Sequence, residues 1–404
     1  MNRRVNFLVS LLALSFVFWF AASPLRAQAS PAAPNSQPAA QAQFSYAAQI
    51  PASFVHNLIF IPVRINGGSP SLFELDSSAE KTSIEPARAK ELGLAITSAQ
   101  TINQVELTMA GLRLGIGGIP VVERKNFAET TGMPAQGVLG RDFFDHAVII
   151  VDYLRQTVQI IDPSSYKYDG QGKAIPITGG ASSALIRAKG DISGRKSFDG
   201  DFEINTALDS AIVFYQAYMD SKKISAAHFK AISASYPELD EGSKILVGRI
   251  KQFQIGAYTV EDPVALFSQG NSKSGANAKI AGQIGGDFLR RFAVTFDFSH
   301  QRLYLDPNLQ INHTAQEDMS GLSILAKGAN LKTFEIVQVR SGTPGSDAGL
   351  KEGDVIVGLD EEPAADLTLA AIRDLFRQVG HEYKLLIDRH GQSLPITIKM
   401  RRLV

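Results

Sequence analysis

The stretch "FELDSSAEKTSI" at 73–84 returns at 202–213 as "FEINTALDSAIV". Each copy is followed by a second shared motif, "GVLGRDFF" at 137–144 and "GQIGGDFL" at 282–289. A chain that repeats an ordered pair of motifs builds one supersecondary unit twice. Gly137, Gly140, Asp142, Phe143 and Asp152 thereby correspond to Gly282, Gly285, Asp287, Phe288 and Asp297. Between the motifs, short apolar runs alternate with turn residues, the pattern of strands. "LIFIPVRING" and "SLFELDS" read as strands joined by a turn at "NGG", and "EPARAKELGLA" as a short helix closed by Gly93. "GIGG" at 115–118 reads as a hairpin turn. The expected lobes are 44–167 and 168–308, the second enlarged around 216–243.

Composition removes several classes of partner. Forty basic and forty acidic residues cancel in 404, so nothing points to nucleic acid or an anionic membrane surface. The absence of cysteine excludes disulfides, thiol chemistry and zinc–thiolate sites. The seven histidines show no metal-ligand spacing, and neither metal nor cofactor is expected. At the N-terminus, Arg3 and Arg4 precede an apolar run from Val5 to Ala22, with small residues Ala27 and Ala29 beyond. Residues 1–29 read as an export signal peptide, an uncleaved membrane anchor being the alternative. The folded part is then periplasmic or secreted, behind a Pro/Ala/Gln-rich disordered linker at 30–43.

An aspartate at a strand end, followed by small residues, can present its carboxylate to a shared groove. Two such loops from two lobes bring two carboxyl groups together, where they share a proton. Here the residues resemble the aspartic proteases of the pepsin and retropepsin type, over about 260 residues. Asp76, Ser77, Ser78 and Ala79, with Ser83 and Ile84, fill the catalytic-loop motif. Val138, Leu139 and Gly140 fill the motif that passes behind it. The second lobe supplies Asn205, Thr206 and Ala207, then Gln283, Ile284 and Gly285. The resemblance implies a mainly β, bilobal acid-protease fold, with Asp76 and Asn205 as the catalytic pair. It also implies that Ser77 and Thr206 brace the two loops, and that an extended polypeptide is the substrate. Asn205 stands where the family has its second aspartate, and Ser78 and Ala207 replace its motif glycines. An amide cannot accept the shared proton, although it can donate a hydrogen bond to an oxyanion. Two readings therefore follow: an aspartic-type endopeptidase with an incomplete dyad, or a catalytically degenerate peptide-binding or scaffold protein. The in-chain second lobe already fills the place that a dimer partner would take.

Residues 320–404 resemble bacterial PDZ domains through "SGTPGSDAGLKEGDVIVGLD" at 341–360. The resemblance implies a small α+β domain holding a peptide C-terminus beside a sheet edge, at Gly321, Leu322, Ser323 and Ile324. Leu369, Ile372, Leu375 and Phe376 share a helix face, read as core more than as ligand contact. His228, Asp262 and Ser272 fall too close in sequence to build a serine-protease triad. Asp152 and Asp297 read as structural.

Overall fold

A computed structural model describes residues 48–180, 183–193, 196–225, 229–234, 244–270, 277–312 and 316–404. The signal and linker segments, His228 and Ser272 lie outside the described residues. No described helix is long and apolar enough to cross a membrane.

The chain is mainly β, and its topology is duplicated as its sequence is. In the first half, Ser71–Leu75 runs parallel to Gly137–Leu139, which is flanked on its other side by antiparallel Ser83–Ile84. In the second half, Ser197–Ile204 runs parallel to Ile280–Ile284, flanked by antiparallel Ile212–Phe214. The registers repeat as well. Phe73, Glu74 and Leu75 lie beside Gly137, Val138 and Leu139, while Phe202, Glu203 and Ile204 lie beside Gly282, Gln283 and Ile284.

A six-stranded sheet joins the halves. Its order is Ala48–Ile50, Thr157–Ile161, Val148–Asp152, Phe292–Asp297, Arg302–Pro307, Ile175–Pro176. The central antiparallel pair, Ile149 with Phe296 through Asp152 with Ala293, takes one strand from each half. Phe144 reaches across to Phe296 at 5.5 Å and Phe298 at 5.2 Å between ring centroids. Such aromatic pairs add roughly 0.5–1.5 kcal/mol each beyond area burial. One continuous apolar core therefore runs through both halves. Asp152 and Asp297 close turns at the ends of this sheet: Asp152 accepts from the N–H and guanidinium of Arg155, and Asp297 from Ser299 Oγ.

The "GIGG" stretch is not a turn. Gly115 to Gly118 lie inside the strand Leu112–Pro120, and the hairpin reverses at Ala110 and Gly111, with φ of 45° and 86°. Gly117 meets the opposite strand closely: a Cβ there would lie 2.6 Å from the Asn103 carbonyl oxygen. Close approach of backbones, not chain reversal, explains that glycine.

The C-terminal module has its own core. Its sheet runs Leu322–Lys327, Thr333–Val339, Val355–Leu359, Glu382–Arg389, Gln392–Lys399, so Leu322–Lys327 forms an edge. The helix Leu369–Leu375 starts at Thr368, whose Oγ1 accepts from the Ala371 N–H, a standard N-cap. Leu369, Ile372 and Phe376 are buried, so that helix face is core.

Candidate active site

Asp76 follows the strand Ser71–Leu75, and its N–H donates to the Leu139 carbonyl at 3.0 Å. Its Oδ1 accepts from the Ser78 N–H at 2.8 Å, Ser78 Oγ at 2.7 Å and the Ala79 N–H at 3.1 Å. The carboxylate thus folds its own loop through one oxygen, as an aspartate in a turn does. Asn205 occupies the same place in the second half, its N–H donating to the Ile284 carbonyl at 2.9 Å. Asn205 Oδ1 accepts from the Ala207 N–H at 2.8 Å. That backbone donor fixes the amide, so Nδ2 turns toward Gln283 Oε1 at 3.3 Å. Gln283 Nε2 donates in turn to Glu203 Oε2 at 3.0 Å.

The two loops are bolted to each other. Ser77 Oγ donates to the Ile204 carbonyl at 2.7 Å, and Thr206 Oγ1 donates to the Leu75 carbonyl at 2.6 Å. The same hydroxyls accept, Thr206 Oγ1 from the Ser77 N–H at 3.0 Å and Ser77 Oγ from the Thr206 N–H at 3.2 Å. Both side chains are essentially fully buried. Residues 75–77 and 204–206 are held as one reciprocal unit, with Asp76 half-buried and Asn205 nearly buried beside the junction. Gly140 and Gly285 close each unit from behind. A Cβ on Gly140 would lie 2.4 Å from the Lys81 backbone, and one on Gly285 2.2 Å from the Ser210 carbonyl oxygen. Both have extended φ, so close approach is what requires glycine there.

Two further acids belong to this site and escaped the sequence reading. Glu74 and Glu203 stand two residues before Asp76 and Asn205, on the same strand faces. The alternation visible in "FELD" and "FEIN" was the available signal. Burial pushes the Glu74 carboxyl up to about 7; the Arg124 guanidinium pulls it down, and the Asp76 carboxylate pushes it up further. Burial likewise raises Glu203, which the Gln283 hydrogen bond opposes and Asp76 reinforces. Glu74 is ion-paired with Arg124, whose guanidinium lies 3.3 Å over the Phe127 ring. Beside Arg124 opens a cavity of about 300 Å³ lined in part by Glu85, Phe127, Glu129 and Gln136; Asp76 and Asn205 do not line it.

A pH prediction follows from Glu74. Its folded-state pKa lies above its unfolded value of 4.5, so its favourable contribution is complete below pH 4.5 and is lost as pH rises through 7. Glu74→Gln keeps a hydrogen-bonding group but does not titrate. The variant should gain stability over the parent by about 2 kcal/mol between pH 5 and pH 8. Urea midpoints at the two pH values check this.

Farther along the second loop, Asp209 gathers groups from two other regions of the chain. It accepts from Asn57 Nδ2 at 2.6 Å, and lies 3.3 Å from His56 Nδ1 and 3.1 Å from Arg377 Nη2. Burial works to raise its carboxyl, but Arg377, His56 and Asn57 hold it well below the usual carboxylate range. Arg377 belongs to the C-terminal module, so that module touches the loop bearing Asn205.

In that module Gly321 has φ of 75°, and a Cβ on it would strike the Thr343 side chain at 2.1 Å. The Leu322 N–H is engaged by Ser320 Oγ at 3.1 Å, and Ser323 Oγ donates to Gln338 Oε1 at 3.2 Å. Leu322 and Ile324 are buried.

No family model matches this chain, and no curated protein matches it. Solved structures do. The chain is similar to the aspartic proteinase from Irpex lacteus at 13% identity and a TM-score of 0.44, covering 66% of this chain and 99% of that one.

Proposed function

We propose that this protein is an exported, aspartic-protease-like polypeptide-binding protein. Asp76 is its single acid–base group, and the C-terminal module is PDZ-like. The observation that carries this reading is the reciprocal bracing of Ser77 and Thr206, which joins an aspartate loop and its asparagine counterpart at one junction. In the mechanism this suggests, Asp76 Oδ2 takes a proton from a water as its oxygen attacks the peptide carbonyl. Asn205 Nδ2 holds one hydrogen on Gln283 and has a second with which to stabilise the oxyanion. Asp76 then returns the proton to the leaving amine, and the balance is hydrolysis of one peptide bond. No second carboxyl keeps a proton on the carbonyl side, so turnover is expected to be slow.

A second reading, binding without cleavage, is favoured by the same asparagine, since an amide cannot alternate between acid and base. Protein lacking residues 1–29 should be incubated with an unfolded polypeptide from pH 3 to pH 8, beside Asp76→Ala. Slow cleavage lost in Asp76→Ala supports the peptidase. Binding of the polypeptide by both proteins, with no cut product, supports the binding protein. Absence of both binding and cleavage would sink the proposal.

A further inference from the structure

The edge strand Leu322–Lys327 of the C-terminal module is covered by the helix Phe127–Thr131 of the first lobe. Two contacts define the cover, and a third, inside the module, spans the groove beside it. Glu129 Oε2 lies 3.6 Å from Lys327 Nζ, at the far end of the edge strand. Gly132, which ends the short helix at φ of 72°, sits where a Cβ would come within 3.1 Å of Leu369 Cβ, the first residue of the helix Leu369–Leu375. The Ile324 carbonyl of the edge strand accepts from Arg373 of that same helix at 3.3 Å. Both walls of the groove between edge strand and helix are therefore engaged by this chain itself.

The covering helix also touches the site. Phe127, its first residue, carries the Arg124 guanidinium on its ring, and Arg124 is the partner of Glu74, two residues before Asp76. On the other loop, Arg377 and the His56 contact to the Ala370 carbonyl tie the end and the start of the module's helix to Asp209. The module is thus joined to both loops of the site, through Phe127 and Arg124 on one side and Asp209 on the other.

We propose that the helix Phe127–Thr131 is a built-in occupant of the module's peptide-binding edge, so that it and an extended peptide with a free C-terminus compete for Leu322–Lys327. The inference rests on the PDZ-like reading of the module. A peptide adds to an open sheet edge as a further strand, and a helix lying on that edge must leave first. Its departure draws Phe127 from beneath Arg124 and loosens the partner of Glu74. Occupancy of the module by peptide is then felt at Asp76, and by linkage the state of the site is felt at the module.

Gly132→Leu, which sets a side chain against Leu369, and Glu129→Lys, which opposes Lys327, test this in the chain lacking residues 1–29. The probe is a fluorescein-labelled pool of random decapeptides ending in a free valine carboxylate, read by anisotropy, with hydrogen exchange followed at 126–133. An edge occupied most of the time lowers apparent affinity by the fraction free, so release should tighten peptide binding about tenfold or more in Gly132→Leu. In the parent, saturating peptide should increase exchange at 126–133. If the variants raise exchange at 126–133 yet bind the pool no more tightly than the parent, competition is overturned and the PDZ-like reading stands. If neither parent nor variants bind the pool, both fall. Neither readout requires cleavage.

Discussion

Thr206→Val should lower the stability of the two-lobe body by about 4 kcal/mol, the sum of roughly 2 kcal/mol for each of two buried polar groups left without a partner. The hydroxyl donates to the Leu75 carbonyl and accepts from the Ser77 N–H, and Thr206 is fully buried, so no water replaces it. Valine also sets a methyl where an oxygen sits 2.6 Å from the Leu75 carbonyl oxygen, closer than carbon and oxygen approach. Thr206→Ser keeps the hydroxyl and should lose about 1 kcal/mol or less, the scale of a buried methyl group. Ser77→Ala removes the mirror pair of bonds. The double variant should lose less than the sum, because each hydroxyl organises the other's acceptors. The core of the C-terminal module is separate, so unfolding in one step is not assumed and urea midpoints are the measure. Amide exchange at Ser77 gives the local check. A Thr206→Val midpoint equal to that of Thr206→Ser would mean that the brace contributes nothing.

The repeat of the two loops was legible in the sequence because it is local, whereas the brace between them was implied only by the resemblance of the motifs. "FELDS" and "FEINT" carry strand alternation, a turn-forming Asp or Asn, and a small hydroxyl residue in the same order, and each signal spans a few residues. The glycines behind the loops were legible for the same reason. Glu74 and Glu203 were equally visible as repeated positions, but their effect depends on burial, which alternation alone does not report. The "GIGG" stretch misled because glycine serves both turns and close cross-strand contacts, and only the opposing Asn103 carbonyl separates the two. The docking of the C-terminal module had no local signal at all. Arg377 and Asp209 lie 168 positions apart, Lys327 and Glu129 nearly 200, and neither pair leaves a period or a spacing to read. Long-range ion pairs fix how domains meet, and a single sequence does not display them.

The asparagine is where sequence and geometry most directly constrain chemistry, and Asn205→Asp should raise acid-side cleavage of an unfolded polypeptide by about a hundredfold, the lower range for a positioned acid–base group. The Ala207 N–H still satisfies one carboxylate oxygen of the new side chain, but the other now faces Gln283 Oε1, and two acceptors repel. Gln283 relieves this only by turning its amide over, which sets its oxygen against Glu203 Oε2. A proton must then enter the cluster, on Glu203 or on the new aspartate. Glu203 is already raised by burial and by Asp76, so little further driving force is needed. The variant therefore holds, at moderately acid pH, the proton that the parent cannot place near the carbonyl. The raised folded-state pKa makes its stability complete below the unfolded carboxylate range and progressively lost as pH rises through the folded value. Asn205→Asp should accordingly match the parent's urea midpoint near pH 4 and fall below it at pH 7, while its cleavage profile becomes bell-shaped on the acid side. A variant that stays folded at pH 4 and cleaves no faster than the parent would show that the missing carboxyl is not what limits this site. Blocked access to Asp76 Oδ2 would then be the cause to examine.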